Sequence, residues 1–348
     1  MLIDQSDESD QPDWSDRSDK ECPWMPKLSY RDALNQALRE EMQRDESVVI
    51  FGEDVAEYEG SFKVTRGLLK EFGPKRVFDT PISEAGIVGM AIGAAMGKIR
   101  PVPELMTVNF AYVAMDQILN HLAVMRYMFG GQVTLPVTIR MPGGGGHQLG
   151  SQHSHSPEPL FVHTPGLFVV YPATPADAKA LLKAAIRDDN PVIFLEHEGL
   201  YNLEGEVPDG LEPGIIGEAK VLREGGDITL VGYGAMTHVA LEAAEALAKD
   251  GVKAEVIDLR TLRPWDKAAV AASVSKTHRA VVIEECPPAC GIAAEVAANL
   301  YELAFDALDA PIERVSGADV PLPYAKNLEQ ACIPHAADVV KAARKALG

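Results

Sequence analysis

Two short stretches of the chain carry side chains able to do chemistry. The first is Asp79-Thr-Pro-Ile-Ser83-Glu84-Ala-Gly86. Ser83 is a helix-capping residue type, and the AGIVGMAIGAAMGKI run beyond it has almost no polar side chain before Lys98. Glu84 therefore falls in the first turn of a helix that reads as thoroughly buried. A carboxylate there needs a partner or a proton, unless it merely complements the helix dipole; spacing alone leaves both open. Gly89, Gly93 and Gly97 recur every four residues, a stripe that lets a helix or a flat ligand approach the backbone.

The second stretch is Met141-Pro-Gly-Gly-Gly-Gly146-His147-Gln-Leu-Gly150-Ser-Gln-His153-Ser-His155. Its glycines allow positive φ and movement, and its histidines titrate near neutral pH. A phosphate cradle lacks the Lys-Ser/Thr ending that such loops use. A metallohydrolase built on His153 and His155 lacks evident further ligands nearby. A plain surface loop with ordinary histidines stays open as well.

Other signals are weaker. Gly232-Tyr-Gly234 has Thr237 where a dinucleotide fingerprint needs its third glycine, so it reads as a tight turn. Arg187-Asp-Asp-Asn190-Pro191 ends a helix before a strand, and its oxygens suit a hard cation equally well. Cys22, Cys286, Cys290 and Cys332 make no disulfide framework in a chain this long and read as reduced thiols.

These groups need a scaffold, and the chain supplies an alternation. Strands are expected at Val48–Phe51, Val102–Met106, Val133–Arg140, Leu167–Tyr171 and Val192–Leu195, with helices at 83–98, 110–128 and 175–187. A helix preceded by Ser29 places Leu34, Ala37, Leu38 and Met42 on one face. After a Gly/Pro/Glu-rich stretch the rhythm resumes. Strands are then expected at Ile228–Tyr233, Ala254–Ile257 and Ala280–Glu284, and helices at 236–250, 266–275, 291–304 and 335–347. The fold class is α/β with two domains, 28–205 and 219–348, joined by a linker at 206–218.

The 348 residues carry a net charge of -19, which argues against nucleic acid or an anionic membrane as partner. Residues 1–27 hold an Asp at every third position from Asp4 to Asp19 and a net charge of -5, and read as a disordered acidic tail. That tail resembles neither a signal peptide nor a transit peptide, so a cytoplasmic, bacterial protein is expected.

Taken together, these residues resemble the beta subunit of the decarboxylating first component of 2-oxo acid dehydrogenase complexes, over residues 27–345. The markers are Phe51-Gly-Glu-Asp54, Asp79-Thr-Pro-Ile-Ser-Glu84, Phe110 with Asp116-Gln117, the glycine run into Gln152-His153-Ser154, and Ala185-Ile-Arg-Asp-Asp-Asn-Pro191. Further on come Asp258-Leu-Arg260, Lys276-Thr-His278, Glu284-Glu285 and Asp319-Val-Pro-Leu-Pro-Tyr-Ala325. Glu-His-x-x-Leu-Tyr-Asn and the Gln-Leu-Gly loop are most similar to plastid and cyanobacterial pyruvate dehydrogenase beta chains.

The resemblance implies a transketolase-like fold, with a pyrimidine-binding domain and a transketolase C-terminal-like domain, and thiamine diphosphate as cofactor. By it, Glu84 hydrogen-bonds N1′ of the aminopyrimidine and promotes its imino tautomer, Phe110 stacks on that ring, and Ile82 lies beside it. His153 orients the 2-oxo acid and donates a proton as the acyl group passes to lipoamide. Val137, Ala185, Ile186, Asp188 and Asn190 enclose a structural potassium ion, mostly through carbonyls. The chain has no Gly-Asp-Gly motif for Mg²⁺ and the diphosphate. An alpha subunit is therefore implied to supply those ligands in an α2β2 heterotetramer that docks a lipoyl acyltransferase core. Pyruvate is the expected substrate. A branched-chain 2-oxo acid or acetoin enzyme is the runner-up, and a non-catalytic docking subunit remains a different class.

Overall fold

The computed structural model describes residues 26–348. The expected tail thus lies outside the described residues except at its end, where Lys27 opens a short strand, Lys27–Ser29, rather than closing a tail. That strand pairs antiparallel with Glu204–Glu206, at the edge of the expected linker.

The first half is built on a seven-stranded sheet. Its order is Thr261–Arg263, Phe168–Val170, Val192–His197, Thr138–Gly143, Arg100–Glu104, Val48–Gly52, Val77–Asp79. Every neighbouring pair is parallel except the first, which the chain supplies from its second half. Parallel strands with helices on both faces are buried throughout, which explains the unbroken burial of Thr138–Gly143 and Val192–His197. The second half has a five-stranded sheet ordered Glu313–Val315, Ala280–Ile283, Ile228–Gly232, Ala254–Asp258, Lys220–Arg223, with only the last strand antiparallel.

Helix Tyr30–Arg44 begins where the Ser29 hydroxyl accepts the Asp32 N–H. It buries Leu34, Leu38 and Met42 fully, each worth roughly 1.5–3 kcal/mol. It packs on helix Pro175–Arg187, whose own cap, Thr174, accepts the Asp177 N–H. Arg187 Nη2 closes that contact on buried Glu41 at 2.7 Å.

Three local expectations are corrected. The span 110–128 is not one helix but a 3₁₀ segment (Val108–Ala114), a π segment (Gln117–Leu122) and one α turn (Met125–Met128). Val108, Ala111 and Ala114 are buried at three-residue spacing, which fits three residues per turn rather than 3.6. The strand expected from Val133 begins at Thr138, because Pro136 has no N–H for a ladder and Leu135 bonds instead to the Asp189 carbonyl at 3.1 Å. Helix Glu84–Met96 is not buried all round. Met90, Gly93 and Met96 face outward, and a Cβ at Gly93 would meet nothing within 4 Å.

Candidate functional site

Glu84 is the first residue of its helix and is buried, 7% exposed. Ser83 occupies the N-cap position, but its side chain makes no capping bond. A second carboxylate, Glu53 from the Phe51-Gly-Glu-Asp54 run, is buried at the C-terminal end of strand Val48–Gly52, and its Oε1 has no hydrogen-bond partner. Burial raises the Glu53 pKa, and the charges of Glu84 and Asp54 raise it further. Two acids therefore share the C-terminal rim of a parallel sheet, where α/β folds bind ligands. The motif marked Glu53, but nothing in its spacing signalled that it would sit in Glu84's field.

Phe110 lies in the 3₁₀ segment that packs on the Glu84 helix. Its ring meets that of His153 edge to face, with centroids 5.4 Å apart. Ile82, two residues before Glu84, is 83% exposed, and Tyr112 and Val113 are exposed beside Phe110. A lone exposed apolar residue is ordinary, whereas this group flanks a buried acid on a ligand-binding rim.

His153 is exposed and His155 half-buried. The two do not converge on a common point. His155 Nδ1 lies 2.5 Å from Asn109 Oδ1, whereas His153 leans on Phe110. Burial, and then the neighbouring His153, lower the His155 pKa. Among the described residues no group of three His, Cys, Asp or Glu side chains could hold a metal ion.

The glycine loop, expected to be free to move, is closely packed at its start. A Cβ at Gly143 would lie 2.5 Å from Val108 Cγ1, and one at Gly144 (φ +94°) would lie 2.4 Å from His197 Nε2. Behind the loop His197 Nε2 and Glu285 Oε2 form a buried ion pair at 2.9 Å. For each partner burial opposes the charge. Glu285's charge and hydrogen bond nevertheless raise the His197 pKa, while His197, Ser156 and the Gly145 N–H bring Glu285 down to about 2. Burial raises Glu158 to about 7, partly offset by the Tyr233 hydroxyl, and raises Glu198 to about 7 as well.

The oxygens expected around potassium are already engaged. The Val137 carbonyl accepts the Val192 N–H, and the Ala185 carbonyl accepts the Asp188 N–H. The carbonyls of Ile186 and Asp188 accept from Arg100 Nη1 at 3.1 and 3.0 Å. Asn190 Oδ1 takes Arg126 Nη1 at 2.5 Å. Each carbonyl keeps a second lone pair, but two guanidinium groups stand where a cation would be repelled. The fit to potassium is poor on this count.

With this geometry in place, comparison with known proteins defines the class. Residues 26–204 match the family model "Transketolase, pyrimidine binding domain", and residues 217–339 match "Transketolase, C-terminal domain". A solved structure, "Split gene transketolase, inactive beta4 tetramer", aligns with TM-score 0.72 at 27% identity, covering 92% of this chain and 98% of that one. The class is thus transketolase-like, and the pyrimidine-binding match implies thiamine diphosphate.

Relatives narrow it. The chain is 49% identical over 319 residues to the pyruvate dehydrogenase E1 component subunit beta of Rickettsia felis, covering 92% of this chain and 98% of that protein. It is 49% identical to the mitochondrial subunit beta-2 of Oryza sativa subsp. japonica, over 92% and 86% of the two chains. It is also 49% identical to the beta subunit of Rhizobium meliloti, over 92% and 70%. The chain belongs to the pyruvate dehydrogenase E1 beta subunit family.

Proposed function

We propose that the chain is the beta half of an enzyme that decarboxylates pyruvate on thiamine diphosphate and passes the acetyl group to lipoamide, acting with an alpha subunit in an α2β2 assembly. The observation that carries this reading is the buried Glu84 beside Glu53, whose orphaned Oε1 awaits a partner from outside the chain. When bound, thiamine diphosphate supplies the carbon nucleophile and the electron sink for decarboxylation.

The chain's own residues do the rest. Glu84 holds a proton against the pyrimidine ring, in a setting where low dielectric strengthens that hydrogen bond. Glu53 lies beside it, where burial and then the charges of Glu84 and Asp54 oppose its ionisation. Phe110 and Ile82 cover the ring with apolar surface, which excludes water from the acid. His153, held against Phe110, orients the 2-oxo acid and moves a proton during acyl transfer.

The same reading assigns the two functional units to 28–205 and 219–348, with 206–218 as linker, and leaves the Mg²⁺ and diphosphate ligands to the alpha subunit. The outward Met90, Gly93 and Met96 give that subunit an apolar, small-residue surface to pack on. A lipoyl acyltransferase core and a cytoplasmic location belong to the same proposal; among the described residues no helix is long and apolar enough to cross a membrane. Potassium at Val137, Ala185, Ile186, Asp188 and Asn190 rests on the resemblance and is opposed by Arg100. An unchanged melting temperature on exchanging K⁺ for Na⁺ would dismiss it.

The deciding experiment is co-expression with an alpha subunit of the same family, followed by a panel of 2-oxo acids with an artificial electron acceptor. Pyruvate is expected to turn over fastest, and the beta chain alone to be inactive. Preference for a branched-chain acid or acetoin would move the chain to the sister enzymes, and turnover without alpha would refute the shared site.

A further inference from the structure

The loop that carries His153 is gripped by carboxylates from the other half of the chain. Glu285 follows strand Ala280–Ile283 of the second sheet, yet its Oε1 accepts the Gly145 N–H at 2.8 Å and the Ser156 hydroxyl at 2.7 Å. One carboxylate oxygen thus ties both ends of the 145–156 segment. Its other oxygen is occupied by His197, from the end of strand Val192–His197, so Glu285 is fixed from the first sheet as well. Near the start of the segment, fully buried Glu329 in helix Lys326–Cys332 accepts the Gln148 N–H at 3.0 Å and its Nε2–H at 2.8 Å.

Steric contacts agree with the hydrogen bonds. A Cβ at Gly145 would lie 2.9 Å from Ile333 Cδ1, and one at Gly150 would lie 3.1 Å from the Tyr324 ring. Ser151 Oγ donates to the Leu322 carbonyl at 2.9 Å. The loop's sequence contains neither of its carboxylate anchors. Glu285 acts on Glu158 and Glu198 as well as His197, so an uncharged replacement changes the loop's seat and the field behind it together.

We propose that Glu285 is a positioning residue for the reaction. From the second half of the chain, and with Glu329 as a second anchor, it sets where the loop presents His153. Charge-assisted bonds from a buried carboxylate to backbone N–H and hydroxyl are the strong kind, and their geometry tolerates little drift. The inference rests on the reading of His153 given above, but the anchoring itself does not.

The test uses the co-expressed holoenzyme with Glu285→Ala, Glu285→Gln and Glu329→Gln. Two readouts apply: hydrogen exchange of peptides spanning 144–156, and separate rates for decarboxylation and lipoamide acylation. Glu285→Ala is expected to speed exchange in 144–156 by about tenfold or more while the Ile228–Gly232 strand stays protected. Lipoamide acylation kcat should fall about tenfold with the KM for the 2-oxo acid nearly unchanged, since a displaced group costs rate more than binding. Glu285→Gln, which keeps an accepting oxygen for Gly145 and Ser156, should lie between.

Unchanged exchange in 144–156, equal loosening of the second sheet, or an open loop with full acylation rate would each overturn the proposal. Should Glu285→Ala fail to fold, Ser156→Ala removes one donor to the same oxygen, and an unmoved exchange rate there is equally fatal. A wild-type holoenzyme that turns over no 2-oxo acid would refute the proposed function, and the exchange data would still judge the anchor.

Discussion

The rings of Phe110 and His153 meet edge to face at an interplanar angle of 84°. An aromatic side chain on a short 3₁₀ segment thus supports a histidine on a glycine loop more than forty residues further along the chain. The contact gives His153 a defined place although its ring is exposed. It also couples the residue proposed to cover the pyrimidine to the one proposed to move the proton.

Glu84→Gln keeps size and burial but removes the ionisable proton. Decarboxylation with an artificial acceptor should fall by about 10²–10⁴-fold, with assembly intact by sedimentation. In the same variant the Glu53 pKa should drop, since one of the charges that raises it is gone. Normal activity would remove Glu84 from the mechanism, and an unmoved Glu53 carboxyl signal would refute their coupling.

His153→Ala should slow decarboxylation modestly, through lost orientation of the 2-oxo acid, and reduce lipoamide acylation more, by about 10²-fold or more. Stopped-flow decarboxylation beside steady-state acylation separates the two. An unaltered overall rate would return the loop to an ordinary surface segment.

Arg140 joins three strands of the first sheet from inside. Its Nη1 reaches Glu104 at 2.5 Å, and its Nε and Nη2 reach the two oxygens of Glu196 at 2.7 and 2.8 Å, with all three residues buried. Arg140→Met leaves two buried carboxylates without a counter-charge, Glu196 keeping only the Tyr201 hydroxyl, which should cost about 3–5 kcal/mol in denaturant unfolding. A loss under about 1 kcal/mol would show that the acids simply take up protons at little expense.

The pH dependence of stability follows from the buried acids. Glu158 and Glu198 are raised to about 7, so their contribution is fully present below their unfolded pKa of about 4.3 and is lost as pH rises through about 7. Glu285 runs the other way: its contribution is present above about 4.3 and is lost as pH falls toward about 2. Melting temperature should therefore decline from pH 5 to 8, and Glu158→Gln should flatten that decline. A slope identical to wild type would show that Glu158 does not titrate there.

Residues 28–348 carry a net charge of -14. If docking to the acyltransferase core is electrostatic, its affinity should weaken about tenfold or more between 50 and 200 mM salt, because exposed charges are screened within a Debye length of roughly 8–10 Å. A salt-insensitive complex would assign docking to apolar contact instead.

Much of this was legible in one dimension. Caps and periodicity located helices such as Tyr30–Arg44 and Pro175–Arg187, because Ser29 and Thr174 signal locally and act locally. The 110–128 region was misread because burial every third residue there comes from packing against the Glu84 helix, which no local propensity encodes. The outward face of the Glu84 helix was misread for a related reason. An apolar run has the same composition whether the chain covers it or leaves it for a partner.

By itself the sequence determined the residue types on which chemistry depends: a carboxylate opening an apolar helix, and a glycine loop ending in histidines. Only the tertiary structure decided their company. Glu53 entered the field of Glu84 because their elements end on the same rim, and Glu285 reached the His153 loop across the chain's two sheets. Side chains far apart in sequence meet only when strand order and packing bring them together, and the strength of a buried charge depends on which neighbours it then finds.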